Sequence, residues 1–255
     1  TPSFSRMPSA MVEMTSGNMG AGLAVVCAIY GHPLIVTMSA GNSPQRAAML
    51  RALGAEVVLV PQVDGTPGQV TGRDIEVAAT VASRLAVERQ GYYVDQFNNP
   101  GSVAAHEGST GPEIWAQTDG RIDAFVASVG SGGTFVGVSR YLKRLSPRTL
   151  CIAAEPEGNE PLSGKPTTKP AHILQGTGYG IIPPQWDASL MDGTIAVSDG
   201  EAQAQKEALA HREGLHVGFS AAANVAAGKK LVESGRLPAN AVVATILCDT
   251  GLKYG

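Results

Sequence analysis

Gly130-Ser131-Gly132-Gly133-Thr134 decides how this chain is read. The apolar run Ala124-Phe125-Val126-Ala127-Ser128-Val129 leads into it, and the amphipathic segment from Phe135 to Leu145 follows. Strand, glycine turn and helix start, in that order, make an anion cradle. Glycines let the backbone approach an oxyanion and adopt positive φ. The unpaired N–H groups of the first helical turn then point at the ligand, and the helix dipole favours negative charge. Thr134 adds a hydroxyl donor. Two nucleotide motifs fail on spacing. A Walker A loop needs Lys-Ser/Thr after its last glycine, where Thr134-Phe135 stands. The dinucleotide fingerprint needs a third glycine at the position Phe135 occupies. A ligand-free glycine turn is the competing reading of the loop alone.

Outward from this loop, the pattern alternates strand and helix. Expected strands cover 11–14, 33–38, 56–60, 92–95, 124–129, 150–155 and 241–247. Expected helices cover 18–30, 44–53, 73–89, 106–117, 135–145, 201–212 and 221–234. Continuous apolar strands between helices imply parallel sheets covered on both faces, an α/β class. Residues 156–193 are rich in Pro and Gly and read as irregular. A domain change is expected near 100–112, giving a small α/β domain over 11–108 and a large one over 109–255. Residues 1–10 read as a loose arm or the remnant of a longer segment. Ligands of parallel sheets bind at the carboxyl ends of the strands. That rule selects the loops 15–20, 39–43, 96–100, 130–134, 176–180, 218–223 and 248–251.

Composition narrows the partners. With 255 residues, 44% hydrophobic and 16% charged, the chain can bury a large core. A net charge of −3 gives no basic surface for nucleic acid or an anionic membrane. No apolar run reaches membrane-spanning length and no signal peptide is apparent. Cys27, Cys151 and Cys248 sit far apart in apolar contexts, which suits reduced, mostly buried thiols in the cytoplasm. No Cys or His pair has metal-ligand spacing.

Several loops carry small polar clusters. Thr15-Ser16-Gly17-Asn18-Met19-Gly20 follows a strand and opens a helix, a cradle the size of a carboxylate, or an ordinary N-cap. Gln96-Phe97-Asn98-Asn99-Pro100 is a further strand-end loop, or a plain turn. The glycines of Gln175-Gly176-Thr177-Gly178-Tyr179-Gly180 let backbone approach a flat ligand. Cys248-Asp249-Thr250-Gly251 puts a hydroxyl and a carboxylate where they face a heteroaromatic nitrogen or cap a turn. Ser220 reads as a helix cap.

Taken together, in order and spacing, these strings resemble the pyridoxal-phosphate enzymes of the tryptophan-synthase-β fold (fold type II), in the cysteine synthase and cystathionine β-synthase branch. The carrying strings are Glu13-Met14-Thr15-Ser16-Gly17-Asn18, the Met49–Gly54 helix end leading into Ala55-Glu56, and Gln96-Phe97-x-Asn99-Pro100. His106, Thr110-Gly111-Pro112-Glu113-Ile114-Trp115, Gly130–Thr134 and Glu155-Pro156 complete them. The resemblance runs from Met11 to Tyr254.

The resemblance implies two parallel-sheet, three-layer domains with the cofactor in a cleft between them, and a homodimer. It implies that Gly130, Ser131, Gly132, Gly133 and Thr134 hold the cofactor phosphate, and that Asn18 bonds the phenolic oxygen of the ring. Thr250 would face the ring nitrogen, leaving it largely unprotonated, with Asp249 as the competitor that would make a stronger electron sink. Thr15, Ser16, Met19 and Gln96 would hold the substrate α-carboxylate, and the Gly176 loop would close over the site. The implied reaction is β-replacement on O-acetylserine or O-phosphoserine by sulfide or a thiol. The alternatives are β-elimination of the serine/threonine dehydratase type, disfavoured because those relatives tend to carry Ser-x-Gly-Asn-His in place of 15–19, and a catalytically silent binding or regulatory protein.

The chain departs from the family pattern in its lysine. The Schiff-base lysine is expected upstream of Met11, yet only fourteen residues precede Thr15 and none is lysine. The first lysine, Lys143, reads as a solvated residue at the far end of a helix. An omitted or truncated segment, or a protein that truly lacks this lysine, would each account for it. Met19 stands where threonine is usual, and Ala221-Ala222 where Ser or Gly is common.

Overall fold

The computed structural model describes residues 9–254. The chain divides into two compact units after Gln96. In the first, β1 (Met11–Met14), α1 (Asn18–Tyr30), β2 (Leu34–Ser39), α2 (Pro44–Ala52), β3 (Glu56–Val60), α3 (Gly72–Glu88) and β4 (Tyr92–Tyr93) follow one another. Their strands form one parallel sheet in the order β3-β2-β1-β4, with Met11 opposite both Leu34 and Tyr92. β2 is buried along its whole length, as a central strand covered on both faces must be. Ala24 and Cys27 of α1 and Ala47 and Leu50 of α2 pack on Leu34, Val36 and Met38. From α3, Ala78 offers its carbonyl to the Thr37 hydroxyl at 2.8 Å. Gly31 ends α1 in the left-handed region, φ 72°, where a glycine is least strained.

The second unit contains α4 (Gly101–Ala105), a π-helical turn (His106–Thr110), α5 (Gly111–Gln117), β5 (Ala124–Ser128), α6 (Gly133–Leu145), β6 (Leu150–Pro156), β7 (Gly193–Val197), α7 (Asp199–Glu213), α8 (Phe219–Glu233) and β8 (Val243–Thr245). Its sheet is also four-stranded and parallel, in the order β7-β6-β5-β8. Alternate residues of β5 and β6 face opposite layers. Ala124, Val126, Ile152 and Ala154 meet Ala223, Ala227 and Leu231 of α8. Phe125, Ala127, Cys151 and Ala153 meet Phe135, Val138 and Leu142 of α6.

The α/β class and two parallel sheets expected from the sequence are present. Two elements differ. The Pro/Gly-rich stretch ends in an edge strand, β7, where the sequence reading has irregular chain up to 193. The helical segment before β5 also begins earlier, at Gly101 instead of His106. α4 lies against α6 so closely that a β-carbon on Gly133 would stand 2.8 Å from the Ser102 hydroxyl, and one on Gly137 would stand 2.5 Å from the Val103 carbonyl. Residues 97–108 therefore group with the second unit, and the division falls ahead of the expected 100–112 region. The arm expected over 1–10 lies mostly outside the described residues.

Candidate functional site

β5 delivers the chain to Gly130 at the carboxyl edge of its sheet. Asn224 of α8 fixes that edge: its side chain accepts the Ser128 N–H at 2.7 Å and donates to the Ile246 carbonyl at 2.8 Å, tying the ends of β5 and β8 together. The turn then needs Gly132 in the left-handed region, φ 95°, and Gly132 caps α6 without a side chain. No acidic residue lies in the first turn of α6, so nothing there opposes an incoming anion.

Gly130 runs beside Gly176: a β-carbon on Gly130 would stand 2.5 Å from the Gly176 carbonyl oxygen. The Gly178 N–H bonds the Val129 carbonyl at 3.2 Å, so segments 128–130 and 176–178 travel side by side. The second segment is clamped from behind. The Gly178 carbonyl accepts from Asn159 Nδ2 at 2.6 Å and from His172 Nε2 at 2.8 Å. Burial holds the His172 pKa below its ordinary value, so the ring is neutral. Ser220 donates its hydroxyl to the Gln175 carbonyl at 3.3 Å. Thr177 Oγ1 is buried without a hydrogen-bond partner. Native structures leave few such groups unsatisfied.

Thr134 is the second residue of α6, within its first turn, and its hydroxyl lies 3.1 Å from His106 Nε2. The other ring nitrogen of His106 lies 2.9 Å from the Thr110 hydroxyl. Burial lowers the His106 pKa. Sequence reading quoted His106 and Thr110 only as parts of motif strings; their spacing of four residues, bent by a π turn, is the signal that would have paired them.

In the first unit, Thr15 is buried, and its hydroxyl accepts the N–H groups of Gly17 and Gly20 at 3.3 Å each. Ser16 receives the guanidinium of buried Arg46 at its carbonyl (3.2 Å) and its hydroxyl (3.4 Å). A cation from α2 thus underlies the start of α1, a feature no sequence spacing announced. Asn18 is exposed at the first position of α1 and Met19 is half-buried. Gln96 is turned toward β1. Its amide nitrogen donates to Glu13 Oε1 at 3.2 Å and to the Met14 carbonyl at 3.0 Å, and its backbone N–H reaches Glu13 Oε2 at 3.3 Å. Glu13 is 1% exposed. Burial, reinforced by Asp95, pushes its pKa up to about 7 against the pull of the Gln96 bonds.

Thr250 is exposed, and its hydroxyl accepts the Leu252 N–H at 3.3 Å, capping a 3-10 turn. The Asp249 carboxylate fills the space a side chain at Gly218 would take. The Cys248 thiol is pushed up to about 12, mainly by burial. No disulfide joins the cysteines. Among the described residues no group of three His, Cys, Asp or Glu could hold a metal, and no helix is long and apolar enough to cross a membrane.

The phosphate end of pyridoxal phosphate fits the 130–134 turn: glycine-lined, uncapped by any side chain and with no acidic residue in the first turn of the helix it opens. Lys143 lies near the far end of α6, roughly 15 Å along the helix from Gly133, and is paired with Asp192 at 2.5 Å.

Comparison with known proteins agrees with this geometry. A family model described as "Pyridoxal-phosphate dependent enzyme" matches residues 7–249. Cysteine synthase A of Escherichia coli (strain K12) is 38% identical over 250 residues, covering 96% of this chain and 75% of that protein. Cysteine synthase 3 of Caenorhabditis elegans is 38% identical over 236 residues, 92% of this chain and 67% of that protein. Among solved structures, O-ureido-L-serine synthase superposes with a TM-score of 0.86 at 31% identity, covering 98% of this chain and 75% of its own. The O-acetylserine-dependent cystathionine β-synthase of Helicobacter pylori gives 0.85 at 34%, covering 98% and 77%.

Proposed function

Because the chain belongs to the pyridoxal-phosphate-dependent enzymes, in their cysteine synthase branch, we propose that it carries out β-replacement on an activated serine. The leaving group is an ester such as O-acetyl or O-phospho, and the incoming group is sulfide or another thiol. The bound cofactor supplies an electron sink that labilises the α-proton and the β-leaving group. The residues of this chain bind and orient. Backbone N–H groups at 130–133 and the Thr134 hydroxyl hold the phosphate. The 15–20 turn, with Thr15, Ser16 and the Met19 N–H above the Arg46 charge, receives the α-carboxylate. Gln96 joins it by exchanging one of its β1 acceptors for the substrate. Asn18 serves the phenolic oxygen of the ring, Thr250 rather than Asp249 serves its nitrogen, and the Gly176 segment closes the site.

The observation that carries this reading is the bare, glycine-lined start of α6, with Gly132 left-handed and Gly130 against the Gly176 carbonyl. Borohydride reduction in the presence of pyridoxal phosphate tests it. Stable addition of the cofactor's mass to one lysine peptide, together with thiol-dependent consumption of O-acetylserine, is the expected result. Binding of the cofactor without consumption of O-acetylserine under any thiol counts against β-replacement. The same reading includes a homodimer in the cytoplasm. Sedimentation velocity tests the dimer, and thiols that form no disulfide suit a reducing compartment.

A further inference from the structure

The Thr110–His106–Thr134 row allows two directions of hydrogen bonding. A neutral imidazole has one donor and one acceptor nitrogen, and each hydroxyl has one proton to give. In one direction Thr110 donates to His106 Nδ1, and His106 Nε2–H donates to Thr134. The Thr134 proton is then left for a third group. In the other, Thr134 donates to Nε2, His106 Nδ1–H donates to Thr110, and Thr134 can offer only lone pairs to whatever lies beyond. An oxyanion at 130–134 is compatible with the first direction and repelled by the second. We propose that His106 is a positioning residue: as its Nε2–H tautomer it turns the Thr134 hydroxyl into a donor for the bound phosphate. The proposal rests on the phosphate reading of the 130–134 turn.

Three further features support it. His106 starts a π turn, a distortion found frequently at functional sites. Gly137 of α6 makes room for that turn, since a β-carbon there would stand 2.7 Å from His106 Cβ. Burial disfavours the imidazolium, so the ring enters the row neutral.

The ring nitrogens of His106 in the 15N-labelled chain report the tautomer directly, first alone and then with saturating inorganic phosphate. Backbone amides of 130–134 report binding in the same samples. Amide shifts together with an Nε2–H ring are the expected result. Amide shifts with an Nδ1–H ring overturn the proposal and leave the phosphate reading standing. Amides that do not respond to phosphate remove the reading, and the proposal with it. As a second arm, H106L is expected to weaken phosphate binding about tenfold, whereas H106Q, whose amide N–H can still donate to Thr134, stays within about threefold of the parent. T134V is expected to match H106L, and the double variant to lose no more than either. Equal losses in H106L and H106Q, or additive losses in the double variant, count against the assignment.

Discussion

Gly130 is the residue on which the cradle depends most. Its would-be β-carbon meets the Gly176 carbonyl, a backbone atom that cannot rotate away. Gly130→Ala is therefore expected to cost about 1–3 kcal/mol of stability by overpacking and to weaken pyridoxal-phosphate binding at least tenfold. Chemical denaturation and a fluorescence titration read the two effects. Unchanged affinity would place the phosphate elsewhere. Glu13 makes a second residue-level prediction. Its folded pKa, about 7, is raised above the ordinary 4.5, so the native state holds its proton more tightly. Its contribution is complete below about pH 4.5 and is lost as pH rises through 7. Between pH 5 and 8 the parent is expected to lose up to about 3 kcal/mol more stability than Glu13→Gln. Parallel urea midpoints for the two proteins would show that the carboxylate ionises freely. Of these residues, Gly130, Thr134 and Thr15 were legible as small groups at strand-to-helix turns. The roles of Glu13, Arg46 and His106 were not, because a buried charge or a ring's partners depend on contacts distant in sequence.

At the level of elements, α3 shows how one cap organises a loop. Thr71 and Asp74 form a capping box, and Asp74 also accepts the N–H groups of Val63 (2.8 Å) and Asp64 (3.1 Å). Burial alone would raise the Asp74 pKa. The hydrogen bonds from Val63, Thr71, Asp64 and Gln62 outweigh it and hold the pKa below 3.8. The stabilisation is thus present above pH 3.8 and lost as pH falls through the lower folded value. Asp74→Ala is expected to cost about 2–3 kcal/mol at pH 7, and the gap from the parent is expected to close as the solution is acidified. A constant gap down to pH 2 would contradict the assignment. Most strands and helices were legible from apolar runs and their punctuation, and α1 and β3 match residue for residue. β7 was not: a five-residue edge strand after a long Pro/Gly-rich stretch carries little periodicity. α4 was missed because Asn99-Pro100-Gly101 reads as a turn, although proline also suits a helix start.

At the level of the whole molecule, the two units own separate cores, and the elements proposed to bind the phosphate belong to the second. Anything that binds the native state alone stabilises it by mass action, about 2.7 kcal/mol at a hundredfold excess over Kd. Pyridoxal phosphate is expected to raise the melting temperature accordingly and to slow amide exchange within 129–136 and 175–180. Stabilisation without protection of those segments would mean a different binding place. The family was legible in the sequence because its motifs lie in turns whose residue types are dictated by backbone geometry.

The 130–134 turn carries main-chain N–H groups and the hydroxyls of Ser131 and Thr134; no arginine or lysine lies within it. Reagents that silence many phosphate sites by modifying guanidinium or ammonium groups, such as phenylglyoxal, therefore have no target in the turn itself. A receptor made this way admits almost no change at its glycines, since a β-carbon at Gly130 or Gly133 would meet a neighbour within 3 Å and Gly132 holds a positive φ.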